Sequence, residues 1–167
     1  MSWYVLLDLI QANSLVVLLV ALSIALCRSR QSSAVVAALV VIGAYFVHLA
    51  FDIGMGYLFE SQYYTGDIAH VAARGWYLFY SLTDFLVVFC LYQLCKKLRL
   101  KANLSCVLVA HCYIVLGTIQ TARFIDRFVF NSDFLSSFYE LSIPIVNLIV
   151  IGLVVSGLFS NKGAIKE

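Results

Sequence analysis

The sequence predicts an all-α fold, a polytopic integral membrane protein built as a bundle of about five transmembrane helices. Three observations lead there. The chain is 63% hydrophobic and 12% charged, where a soluble domain carries roughly 25% charged residues, and its mean hydropathy is +0.96. The apolar residues fall into five runs, each near the roughly 20 residues that a helix needs to cross a hydrocarbon core. A single proline and a few short polar breaks interrupt them. With 167 residues, five spans leave no room for a separate soluble domain, so residues 1–167 are expected to form one transmembrane helical domain.

The first span is expected at about 3–27, entered through Trp3 and left at Arg28 and Arg30, an aromatic anchor followed by a positive flank. It lacks a basic leader and a small-residue cleavage site, so it is expected to be retained. After the turn from Arg28 to Ser33, the second span covers about 34–59. A loop follows through Tyr63, Tyr64, Asp67 and His70 to Arg74, and His70 reads as a surface residue. The third span, about 76–95, opens on Trp76 and Tyr77 and stops at the basic cluster Lys96, Lys97, Arg99 and Lys101. The fourth, about 103–122, grades into an amphipathic rim carrying Arg123, Asp126 and Arg127. The fifth, about 134–159, contains Pro144 and the small pair Gly152 and Ser156, one helical turn apart, which suits close helix approach.

Sorting the Lys and Arg residues by side puts Arg28, Arg30, Lys96, Lys97, Arg99, Lys101, Lys162 and Lys166 together, against Arg74, Arg123 and Arg127. Positive charge accumulates on the cytoplasmic side, so the N-terminus is expected outside and the C-terminus in the cytoplasm of a plasma or inner membrane. A net charge of +2, with its cations at span ends, is too small to imply a nucleic-acid partner, and none is expected. The five cysteines have no CxxC spacing and read as reduced packing residues. No internal repeat is evident.

The candidate site rests on charges inside apolar runs. A carboxylate in hydrocarbon costs several kcal/mol unless it is paired, protonated or turned to water. Asp52 lies eight residues before Glu60, and Asp84 eight after Trp76, which sets both about 12 Å below the outer surface at the helical rise. By the same count Asp8 and Glu140 lie roughly 8 Å down. The acids have polar company at helical spacing: Gln11 near Asp8; Tyr77 and Ser81 with Asp84; Ser136, Pro144 and Asn147 with Glu140. Pro144 also frees the carbonyl oxygen of Glu140. Arg123 and Arg127, on one face of span four with Gln120, are the expected counter-charges of Asp52, Asp84 or Glu140.

His48, one turn from Asp52, and His111 both fall near mid-depth. Two imidazoles at one level suit a haem iron, but each is also explained by a hydrogen bond in the core, and no cofactor or metal is expected. The chain has no GxSxG, HExxH, P-loop or dinucleotide fingerprint, so it is not expected to be an enzyme. Its 12 Phe and 10 Tyr read as lipid-facing and interfacial residues.

The functional expectation is a small membrane protein with a polar, acid-rich pocket in the outer half of the bilayer, with Asp52, Asp84, Arg123, Arg127, Glu140 and His48 as ligand- or ion-binding candidates. An accessory or binding protein, in contact with lipid and with another membrane protein or a second copy of itself, is preferred. The alternative is a small cation- or proton-coupled transporter or channel component.

Overall fold

A computed structural model describes the backbone of residues 3–27, 32–60 and 67–160, and the side chains of residues 13, 15–26, 32–56 and 74–160. It contains five helices: α1 (Trp3–Cys27), α2 (Ser33–Glu60), α3 (Asp67–Lys97), α4 (Leu104–Phe128) and α5 (Ser136–Phe159). No strand occurs among the described residues. Four helices, α2 to α5, are long and apolar enough to cross a membrane, and α1 carries the shorter described apolar stretch Leu15–Leu26.

Helix α1 matches the expected span, and α2 and α5 differ from theirs by a residue or two at most ends. Helix α3 begins nine residues earlier than expected, at Asp67. Ile68, Ala69, Val71, Ala72 and Ala73 continue the helix, and Asp67 at its start suits the positive end of the helix dipole. The loop expected from Ser61 to Arg74 is correspondingly shorter. Helix α4 continues through the rim to Phe128, because Arg123, Asp126 and Arg127 are compatible with helix and only mark where the apolar run ends.

Consecutive helices pack side by side and α5 returns to α1, closing a ring in chain order, and α2 also reaches across it to α4 and α5. Short connections make sequence neighbours antiparallel. One end of the ring therefore holds the α1–α2 and α3–α4 connections, with Lys96, Lys97, Arg99 and Lys101, and is termed the basic end. The α2–α3 and α4–α5 connections lie at the other end.

The dry core occupies the basic half. Leu18, Val41, Val109, Val150 and Val154 are fully buried there, one or more from four different helices. The first half of α2 is buried almost all round, through Ala34, Val35, Val36, Ala37, Ala38 and Val41, because α2 touches all four other helices. Small side chains permit that approach. The tightest point is Gly157 of α5, where an added methyl would lie 2.8 Å from Ser105 Cβ of α4 and 3.4 Å from Ala34 Cβ of α2. The expected small pair, Gly152 and Ser156, is instead exposed, and nothing lies within 4 Å of a methyl at Gly152.

Turns at the basic end are closely specified. Arg99 takes a left-handed conformation (φ 52°), while Leu100 N–H donates to the Cys95 carbonyl and Arg99 N–H to the Lys96 carbonyl, a Schellman closure of α3. Asn103 caps α4 by accepting from Cys106 N–H at 2.9 Å, and its own N–H donates to Ser33 Oγ at 2.9 Å. The start of α2 and the start of α4 are thereby tied together.

The outer surface is apolar. Val16, Leu39, Leu82, Phe89, Leu104 and Ile149 are among its exposed residues, whereas Ser81, Asp84, Gln120, Arg123 and Asp126 are buried. This inverts the arrangement that water favours.

Candidate functional site: a carboxylate-bearing cavity

Beyond the dry core the five helices line a partly open cavity of about 560 Å³. Helix α2 presents Tyr45, His48 and Asp52 to it, at spacings of three and four that keep them on one face. Helix α3 presents Trp76, Tyr80 and Asp84, each one turn apart. Tyr113, Leu116 and Gln120 continue the lining on α4, and Tyr139, Ile143 and Asn147 on α5. Leu15 represents α1.

Asp52 and Asp84 thus share one cavity from two helices, but in different company. Tyr80 donates its hydroxyl proton to Asp52 Oδ1 at 2.5 Å. Asp84 is 3% exposed and makes no hydrogen bond or ion pair with any described residue. Its oxygens open onto the cavity instead of being sealed in the packing.

His48 Nε2 lies 2.7 Å from Thr83 Oγ1, whose hydroxyl is also within reach of the Phe79 and Tyr80 carbonyls at 2.9 and 3.0 Å. While Thr83 donates to those carbonyls, His48 donates to Thr83. The His48 ring sits 4.5 Å from that of Tyr80, and Phe51 stacks on Phe79 at 3.8 Å. These contacts bind the second half of α2 to the first half of the apolar part of α3. On the far wall Tyr139 donates to Gln120 Oε1 at 2.9 Å, joining α5 to α4. Behind the lining, Ser81 reaches the Gly117 carbonyl at 3.2 Å and Thr121 Oγ1 at 2.7 Å.

The arginines do not clamp these acids. Arg123 is 4% exposed, and its two terminal nitrogens donate to Asp126 Oδ2 and Asp133 Oδ1, each at 2.7 Å. Asp126 accepts further from Leu135 N–H at 3.0 Å and from the Ser132 hydroxyl. Arg123 therefore fastens the α4–α5 turn, because two acids close in sequence reach it before Asp52 or Asp84 can. Arg127 is exposed, 3.4 Å from Tyr77 Oη and 5.8 Å from the Phe128 ring centre.

Glu140 is also apart from the cavity. It is exposed and accepts from Ser136 Oγ at 3.2 Å, since the inward face of α5 runs through Tyr139, Ile143 and Asn147 rather than through Ser136, Glu140 and Pro144. On α3 the inward face contains Asp84 but passes through Tyr80 instead of Ser81. His111 is exposed and approaches the Val107 carbonyl at 2.8 Å. It lies about 200° round α4 from Val109 and Tyr113, away from His48, so the two imidazoles do not share a site. No group of three or more His, Cys, Asp or Glu fit to hold a metal ion occurs among the described residues. The side chains of Asp8, Gln11, Cys27, Asp67 and His70, and the Tyr63 and Tyr64 segment, lie outside the described residues.

The aromatic lining was not anticipated. Tyr45, Tyr80, Tyr113, Tyr139 and Trp76 read as interfacial residues by composition, yet all five face inward. One signal was available: Trp76 and Tyr80 stand eight and four residues before Asp84 and share its helical face.

The site offers one carboxyl without a partner among the described residues, one hydrogen-bonded carboxyl, two amides and aromatic rings. No family model, curated protein or solved structure matches the chain.

Proposed function

We propose that the protein is a membrane-embedded binding protein, with its N-terminus outside and C-terminus in the cytoplasm, whose cavity holds a small polar ligand in the outer half of the bilayer. The membrane setting is supported by the four long apolar helices and by the apolar exterior around buried charge. The orientation is supported by the cations at the basic end. The observation that carries the binding function is Asp84, a buried carboxyl that faces the cavity and takes no partner among the described residues. A group kept at a cost to stability is the mark of a ligand contact.

Binding is favoured over conduction because the cavity is blind. A transporter or channel needs a polar route through the other half, which is filled by Leu18, Val41, Val109, Val150 and Val154. An accessory role beside another membrane protein or a second copy is compatible with this reading, and it carries no catalysis.

The decisive comparison is Asp84→Asn against wild type, purified in mild detergent and reconstituted. The variant is expected to unfold at the same or a higher temperature, and native mass spectrometry is expected to find a small molecule on wild type that the variant lacks. Proteoliposomes are expected to show no proton or cation leak. A variant that unfolds readily, or an Asp84-dependent flux through wild type, would overturn the proposal.

A further inference from the structure

We infer that the ligand of the cavity is an organic cation, a protonated or quaternary ammonium compound. This deepens the binding function proposed above and rests on it. Three features converge on that class.

The first is charge. Asp52 and Asp84 line the cavity, and no Lys or Arg does so among the described residues. Anions are therefore repelled, while a cation supplies the counter-charge that Asp84 lacks. With Asp52 already accepting from Tyr80, Asp84 is the primary contact.

The second is the dispersal of the charged oxygen ligands, two carboxylates on two helices with no third beside them among the described residues. A hard metal ion such as Ca²⁺ takes six to eight oxygens at close range, and the described residues contain no cluster of even three His, Cys, Asp or Glu suited to a metal. A cavity of about 560 Å³ lies within the range of organic ligand sites, about 300–1,000 Å³. It is far larger than a bare ion needs.

The third is the aromatic wall. Trp76, Tyr80, Tyr113 and Tyr139 come from three helices, with Tyr45 from a fourth. Ring faces attract ammonium groups, and aromatic cages are the general solution for quaternary nitrogen. Since the Tyr80 hydroxyl is committed to Asp52, what Tyr80 offers the ligand is its ring. The amides of Gln120 and Asn147, also in the lining, are placed for a hydroxyl or carbonyl elsewhere on the ligand.

The test uses the full chain in nanodiscs of phosphatidylglycerol, which contains no choline, in a Trp3→Phe background so that Trp76 is the remaining tryptophan. Choline and tetraethylammonium are expected to change Trp76 fluorescence saturably and to raise the unfolding temperature. KCl and CaCl₂ at matched ionic strength, and 3,3-dimethylbutanol, the neutral isostere of choline, are expected to do neither. Asp84→Asn is expected to weaken choline binding by about tenfold or more, as loss of a charged partner implies. Glu140→Gln, outside the cavity, is expected to leave it unchanged. Should Asp84→Asn fail to fold, choline against its isostere on wild type still decides the matter. If the isostere binds as well as choline, or only inorganic cations act, the organic-cation inference falls and the binding function stands. If no probe binds and wild type carries no small molecule, both fall.

Discussion

Asp84 and Arg123 are almost equally buried, yet among the described residues one has no partner and the other has two carboxylates. That contrast separates a site from a fastener. Arg123→Gln strips Asp126 and Asp133 of their cation, and is expected to destabilise the protein by roughly 1–3 kcal/mol, seen as a lower midpoint in denaturant, without changing ligand affinity. Because Arg123 does not reach Asp52, the effects of Asp52→Asn and Arg123→Gln on stability are expected to add within about 0.5 kcal/mol. A larger coupling in the double-mutant cycle would show that the two charges do meet. Residue depth was legible only to within a turn: counting from Glu60 and Trp76 puts Asp52 and Asp84 at one level, whereas the pairing of Asp52 with Tyr80 and of His48 with Thr83 sets Asp84 about one turn deeper. Choice of partner was not, because Asp126 and Asp133 belong to a turn whose path no periodicity describes.

At the scale of elements, the helices could be read from their apolar runs, but which face turns inward could not. Where every face of a helix is apolar, hydropathy does not distinguish lipid from neighbour, and polar stripes misled on α5, where Tyr139 rather than Glu140 points inward. Glycine packing had the same limit, since Gly152 and Gly157 look alike in sequence while only Gly157 is pressed between two helices. Gly157→Ala is accordingly expected to lower thermal stability and Gly152→Ala to leave it near wild type, with combined Ser105→Gly and Gly157→Ala recovering part of the loss. At the other end of the scale of effects, Arg99 holds a left-handed turn that a side chain disfavours. Arg99→Gly is expected to raise stability by about 0.5–1 kcal/mol, measured by chemical denaturation.

For the whole molecule, the testable matter is sidedness. In a variant without the five native cysteines, Phe134→Cys, on the exposed approach to α5, is expected to react with a membrane-impermeant maleimide on intact cells. Lys101→Cys, in the α3–α4 connection, is expected to react only after permeabilisation. The reverse pattern would place the cavity on the cytoplasmic side. Charge bias alone suggested this orientation, and the ring of helices adds why it matters: the closed core and the cavity lie at opposite ends, so orientation decides which compartment the carboxylates face.

The bonds between α2 and α3 bear on how the chain is made. Asp52 with Tyr80, His48 with Thr83 and Phe51 on Phe79 all close within a single helical hairpin. As the nascent chain leaves the ribosome, these two helices can therefore enter the bilayer as a unit in which Asp52, His48, Tyr80 and Thr83 are already paired, before α4 and α5 exist. Ser81 waits for α4, to which it bonds, and Asp84 is left without a partner among the described residues. The cavity it faces is completed only when Tyr113 of α4 and Asn147 of α5 arrive, so the last helices to be synthesised are the ones that give this carboxyl its surroundings.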